Sequence, residues 1–180
     1  MILSDDERNC AKACLARRNA LTQREIACKS KAIVQRLEPY LKGTIALYRS
    51  YGNEVCIDDV HLKSYGLPVV LHDTSMCFRM WYKGCKMKKG AYGIQEPIEG
   101  KVLLADELDV IVVPIVAFDE HLYRLGHGKG YYDRYLKQCR ALKIGVAFDC
   151  QQVEKVPIEP HDVCLDMIIT ETCIRKKDHL

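Results

Sequence analysis

Val110-Ile111-Val112-Val113-Pro114-Ile115-Val116-Ala117-Phe118, followed after a short connection by Arg124-Leu125-Gly126-His127-Gly128-Lys129-Gly130-Tyr131-Tyr132-Asp133-Arg134, is the stretch that decides the fold of this chain. The first run is apolar at every position and rich in β-branched residues. A strand with one wet face alternates polar and apolar side chains, so a run with no polar position requires cover on both sides, as central strands of parallel sheets have. In the second stretch Tyr131, Tyr135, Leu136 and Cys139 fall at helical spacing, which predicts a helix over about 130–142. A glycine loop thus follows a central strand and leads into a helix. Open α/β sheets place their ligands there, and the positive end of the helix favours anions.

The loop has the composition of a phosphate cradle. Gly126, Gly128 and Gly130 can take φ > 0 and turn successive backbone N–H groups toward one point. Alternating glycines also occur in ordinary tight loops, so the flanking residues carry the argument. Arg124 and Lys129 suit phosphate oxygens, Tyr131 and Tyr132 can stack on a ring, and Asp133 can hold a divalent metal. The stretch has neither the G-x-x-x-x-G-K-[ST] nor the G-x-G-x-x-G spacing.

Outward from this centre the pattern remains α/β. Residues 5–38 read as two helical pieces, the second opened by the capping box Thr22-Gln23-Arg24-Glu25 and stopped by Pro39. Its apolar face carries Ile26, Ser30, Ile33, Val34 and Leu37. Strands are expected at 44–48, 67–72, 76–83, 143–148 and 165–170, with a short helix at 58–64. Prolines 114, 157 and 160 mark strand interruptions or loops. The expected architecture is an α/β layered sandwich with a mostly parallel central sheet and an N-terminal helical arm.

Composition narrows the classes. A chain of 180 residues can bury roughly 70% of its unfolded surface and is read as one domain over 1–180. With 48% hydrophobic and 28% charged residues, no apolar run long enough to span a bilayer and no signal-peptide pattern at the start, a cytoplasmic protein without membrane association is expected. The ten cysteines are scattered without C-x-x-C or paired Cys/His spacing, which argues for thiols rather than zinc ligands. A net charge of +3 is too mild for a nucleic-acid partner. The exception is the local group Lys83, Lys86, Lys88 and Lys89, ordinarily a solvated strand end.

Two further elements complete a family pattern with the central stretch. Leu47-Tyr48-Arg49-Ser50-Tyr51-Gly52-Asn53-Glu54-Val55, Gly93-Ile94-Gln95-Glu96-Pro97, and residues 113–119 leading into 124–134 together resemble the 5-formyltetrahydrofolate cyclo-ligase family, nearly end to end. The resemblance implies an ATP- and magnesium-dependent enzyme that converts 5-formyltetrahydrofolate to 5,10-methenyltetrahydrofolate, ADP and phosphate, and the expectation is a monomer. It further implies that Arg124, Leu125, Gly126, His127, Gly128, Lys129, Gly130, Tyr131 and Tyr132 form the ATP loop. Lys129 and Arg124 are then the catalytic cations, Asp133 and Asp162 the Mg2+ contacts, and Glu54, Tyr92 and Tyr131 the folate contacts.

Several of these residues have ordinary readings too. Glu54 would serve as a strand-end carboxylate, Tyr131 as packing for the loop helix, and His127 as a solvated loop histidine. Trp81, the only tryptophan, is assigned to sheet packing rather than to a ligand. In the first helix the chain departs from the pattern. The family places a lysine and an arginine four apart there, but counting back from Arg17-Arg18-Asn19-Ala20-Leu21-Thr22 reaches Glu7 and Ala11. Arg8 and Lys12, assigned to ATP, sit one residue over, which turns a helix face by about 100°.

Two other function classes stay open on sequence alone. One is a phosphosugar isomerase or coenzyme A transferase-like enzyme, which shares α/β sandwich architecture and needs no ATP. The other is a non-catalytic folate- or nucleotide-binding module. A hydrolase is disfavoured by the lack of G-x-S-x-G and H-E-x-x-H. The lysine group at 83–89 suggests polyglutamylated folates as the substrate form.

Overall fold

A computed structural model describes residues 4–72, 75–90, 93–159 and 162–178. Helices α1 (Asp5–Asn19) and α2 (Gln23–Leu37) form the N-terminal arm, each opened by a capping box, from Ser4 with Glu7 and from Thr22 with Glu25. A short 3-10 turn, Glu38–Tyr40, ends the second at Pro39. The strands are β1 (Ile45–Ala46), β2 (Ser64–His72), β3 (Ser75–Tyr82), β4 (Met87–Lys89), β5 (Gln95–Pro97), β6 (Val102–Leu103), β7 (Val110–Pro114), β8 (Ala117–Phe118), β9 (Arg124–Leu125), β10 (Leu142–Val146), β11 (Met167–Ile169) and β12 (Ile174–Lys176). One helix, α3 (Tyr131–Leu136), follows the glycine loop.

Eight strands make the main sheet in the order β12-β11-β10-β7-β1-β2-β3-β6. The pairings from β2 through β1, β7 and β10 to β11 are parallel, and β3, β6 and β12 add antiparallel edges. Two hairpins, β4-β5 and β8-β9, stand apart from it. The α/β layered architecture with a mostly parallel sheet and a helical arm is therefore what the chain adopts.

The central strand shows why its sequence has no polar position. Val110 and Val112 pack under α2 with Ile33, Val34 and Leu37. Ile111 and Val113 point the other way, into a cluster with Phe78 and Leu136 of α3. Because side chains alternate across a strand, both sets are buried at once. The predicted face of α2 is the buried one in full.

Four boundaries differ from expectation. The apolar run breaks at Ile115-Val116, and residues 117–118 leave the main sheet to pair with β9. Residues 58–64 form turns and not a helix. Val60 N–H donates to Ile57 C=O, Leu62 N–H donates to Val60 C=O, and Ser64 already enters β2. The helix after the loop stops at Leu136, because Leu142 is drawn into the sheet opposite Val110. The intervening chain tightens through Gln138 N–H to Tyr135 C=O and Cys139 N–H to Leu136 C=O. The first strand keeps only Ile45–Ala46 in the ladder, with Leu47 N–H still donating to Gly66 C=O.

All ten cysteines are free thiols, and among the described residues no helix is long and apolar enough to cross a membrane. Trp81 packs on Tyr65 at 4.7 Å between ring centroids and lies under the Arg49 guanidinium, the sheet role expected of it.

Candidate active site

The glycine loop is held at both ends before it reaches any ligand. On its N-terminal side the β8-β9 hairpin is organised by Asp119, which is buried and accepts from the backbone N–H groups of His121, Tyr123 and Val156 at 3.0–3.1 Å. Three N–H donors satisfy a carboxylate that would otherwise be costly to bury. The hairpin turn also puts Leu122 at φ 67°, with its side chain buried. Arg124 then emerges with a side chain only 3% exposed, and its Nη1 donates to Asp133 Oδ1 at 2.7 Å. Since Asp133 lies in the first turn of α3, this ion pair clasps the two ends of the loop together.

Within the loop, Gly128 and Gly130 adopt φ of 81° and 64°, where a Cβ would be strained. Gly126 does not take a positive φ; open space surrounds the position a Cβ would occupy. Lys129 is exposed, and its carbonyl is fixed by Arg134 Nη2 at 2.6 Å.

The loop forms one wall of a cleft of about 440 Å3. The cleft lies at the carboxyl ends of β1 and β7, marked by Tyr48 and Pro114, where parallel sheets carry their ligands. Every expected loop residue from Arg124 to Asp133 lines it, and so do Glu54 and Asp162. A second cleft of about 430 Å3 adjoins it through Arg49, Tyr51 and Ile94.

Glu54 is the buried acid of the far wall. Its Oε2 accepts from Tyr51 N–H at 2.9 Å, and its Oε1 meets His127 Nε2 at 3.1 Å. The surrounding side chains register that charge. Burial pushes the Tyr132 phenol up, and Glu54 adds to the shift while Arg124 opposes it. Tyr48 is raised in the same way, by burial first and then by Glu54, and its hydroxyl donates to Val55 C=O at 2.6 Å. Arg18 of α1 is buried, and its Nε and Nη1 find no hydrogen-bond partner among the described residues; burial lowers its pKa and the Glu54 charge counteracts this.

The arm turns a different face to the site from the one expected. Glu7, Ala11, Cys14 and Arg18 are its buried positions, and Glu7 lines the cleft. Arg8 and Lys12, expected at ATP, are exposed and do not line the cleft, as the 100° offset requires. Arg8 instead pairs with Asp5. Tyr92, expected at the folate, lies outside the described residues.

Sequence reasoning missed Glu96 and Arg49. Glu96 is buried in the cleft wall and accepts from Val70 N–H at 3.2 Å. Its backbone neighbour Gly90 leaves it room, since a Cβ there would come within 2.1 Å of the Glu96 carboxyl carbon. The signal in the sequence is the acid inside Gly93-Ile94-Gln95-Glu96-Pro97. Arg49 lines both clefts while bonded to Asp58 at 2.9 Å.

Among the described residues no group of three or more His, Cys, Asp or Glu side chains is gathered as a metal cage. Asp133 and Asp162 share the cleft; the first carries Arg124 on Oδ1, and Oδ2 of the second accepts from Glu159 N–H at 2.7 Å. Such a set fits magnesium, which is commonly bound through one or two carboxylates plus phosphate and water oxygens.

Fold and site together define an α/β enzyme of the glycine-loop type, with one cleft built from loop, sheet and arm. The profile of the 5-formyltetrahydrofolate cyclo-ligase family matches residues 4–171, and the chain belongs to that family. It is similar to the 5-formyltetrahydrofolate cyclo-ligase of Escherichia coli K12, at 34% identity covering 86% of this chain and 94% of the relative. The enzyme of that name from Mycoplasma pneumoniae is 32% identical, covering 92% and 99%. Among solved structures, 5,10-methenyltetrahydrofolate synthetase of Aquifex aeolicus superposes with a TM-score of 0.85 at 32% identity, covering 94% of this chain and 92% of that one. The Mycoplasma pneumoniae synthetase gives 0.76 at 31% identity, covering 92% and 99%.

Proposed function

We propose that this protein closes 5-formyltetrahydrofolate to 5,10-methenyltetrahydrofolate at the expense of ATP. The observation that carries the reading is that the glycine loop and the buried acid Glu54 line one cleft and touch through His127. A formamide oxygen is a very poor leaving group, so the reaction needs that oxygen activated beside the nitrogen that will attack. ATP supplies the leaving group: its γ-phosphoryl passes to the formyl oxygen, ADP departs, and phosphate leaves with that oxygen as N10 closes on the carbon and loses its proton. Magnesium would neutralise phosphate charge, with Asp133 and Asp162 as its protein contacts.

The remaining work is positioning and charge stabilisation, which phosphoryl transfer chiefly requires. Lys129 and the loop N–H groups face the phosphates, and Arg124 keeps the loop closed through Asp133. Glu54 accepts from the amino and ring N–H groups of the pterin, and Tyr131 lines the folate. The test is an anaerobic spectrophotometric assay with 5-formyltetrahydrofolate and magnesium, following the near-ultraviolet band of the methenyl product. ATP-dependent growth of the band is expected, and a flat trace from folded protein sinks the proposal.

One observation favours a second reading. Glu7 puts a carboxylate on the cleft wall where the family pattern expects a cation, which disfavours bound phosphate. A binding module would take up nucleotide or folate with no product band in the same assay.

The substrate form is inferred from the lysines. Lys83, Lys86, Lys88 and Lys89 are all exposed, and Lys86 and Lys88 flank Met87, which lines the second cleft. A polyglutamate tail leaving the first cleft through the second would meet them, with a gain that salt screens. A lower KM for the triglutamate than for the monoglutamate at low salt is expected. Equal values, or a difference that survives replacement of Lys86, Lys88 and Lys89 by Gln, would contradict it.

A further inference from the structure

His127 does something in this structure that neither ATP binding nor folate binding requires. It sits at the middle of the glycine loop with a half-exposed side chain, and its ring crosses the cleft to a carboxylate that is 8% exposed and 73 residues away in sequence. A carboxylate can only accept, so Nε2 carries the hydrogen of this contact. The other Glu54 oxygen is taken by Tyr51 N–H, and Glu54 Oε1 is thus the oxygen that His127 covers. The acid proposed to receive the pterin N–H groups is covered by the loop proposed to receive the phosphates.

The backbone around His127 allows it to leave. The position a Cβ would occupy on Gly126 faces open space, and Gly128 turns at positive φ. The clasp between Arg124 and Asp133 holds the loop at its ends, and Arg134 holds it at the Lys129 carbonyl, beyond Gly128 from His127. Phosphate drawn to the loop N–H groups would rearrange the segment that carries His127 and take the ring from Glu54.

We propose that His127 is a latch that couples the two halves of the site: it closes Glu54 in the ligand-free protein and releases it when the loop binds a nucleotide triphosphate. The inference rests on the functional reading above and deepens it. Two ligands that bias one two-state element change each other's affinity by the same factor. The nucleotide should therefore tighten folate binding and the folate should tighten nucleotide binding, with His127 carrying the coupling as a positioning residue.

Two measurements on the full chain test it. In protein labelled with 15N-histidine, with the His127 signal assigned by its loss in His127→Ala, a nonhydrolysable ATP analogue with magnesium should move that signal. The new position should approach the one found in ligand-free Glu54→Gln. In titration calorimetry the analogue should raise wild-type affinity for 5-formyltetrahydrofolate about tenfold, inside the range usual for coupled sites. His127→Ala should bind folate at the higher affinity without the analogue, and its coupling factor should fall to about one, the value that linkage gives for uncoupled sites. A His127 signal indifferent to both the analogue and Glu54→Gln overturns the latch, and so does an unchanged coupling factor in His127→Ala. If no protein binds folate, the functional reading fails instead, and the nitrogen signal still decides whether the latch exists.

Discussion

Asp133→Asn separates two roles that one carboxylate can hold, metal contact and loop clasp. The substitution removes the charge and keeps the shape, leaving the Arg124 guanidinium, with its side chain 3% exposed, in the same place. Breaking a buried ion pair by deleting one partner costs about 3–5 kcal/mol, because the remaining charge is stranded. Two features reduce this. The Asp133 side chain is 17% exposed, so water reaches the pair, and the new amide oxygen still accepts from Nη1. The expected loss is therefore about 2–3 kcal/mol. In a protein of this size each kcal/mol moves Tm by about 2–4 °C, so the midpoint should fall by about 4–12 °C. Calorimetry in EDTA without nucleotide is the assay, since no bound metal then contributes. The double variant Arg124→Met, Asp133→Leu should recover most of the stability, as replacing both partners of a buried pair by apolar groups is close to neutral. A shift of under about 1 °C, well below that scale, would refute the clasp. If the magnesium titration of activity moved at the same time, Asp133 would be a metal contact alone.

Other outcomes follow from the same geometry. Lys129→Ala should lower kcat by about 10²-fold, the usual effect of deleting a preorganised charge donor, and near wild-type turnover would remove Lys129 from the chemistry. Glu54→Gln should weaken folate binding and, by releasing His127, tighten binding of ATP alone; an equal loss for both ligands in separate titrations would contradict the pterin assignment. Leu122→Gly relieves a left-handed backbone strain of about 1–2 kcal/mol but empties a buried leucine site, where truncation costs about 2–5 kcal/mol. A net loss of about 1–3 kcal/mol is expected by thermal melting, and a gain would show that strain outweighs packing there.

The helical arm, the buried central strand and the glycine loop were legible because each is written in local pattern. The capping box at Thr22, the inward face of α2 and the unbroken apolar run of β7 need only neighbours a few residues away to be understood. Even the inward turn of Glu7 is visible by counting along the helix, with Arg8 and Lys12 one residue off that face. Less legible were the ends of elements. Residues 137–142 carry part of a helical pattern, yet Leu142 gains more by pairing with β7 than by extending α3.

By itself the sequence determined the layer architecture, the loop and the family to which it belongs, since periodicity, β-branching and glycine placement act over a few residues at a time. Only the tertiary structure decided what the functional side chains touch. Arg124 meets Asp133 across the folded loop, while His127 reaches Glu54 and Glu96 and Arg49 enter the cleft because the sheet order brings together chain segments that lie far apart in sequence. Such contacts depend on the packed positions of whole elements, and no local propensity along the chain encodes them.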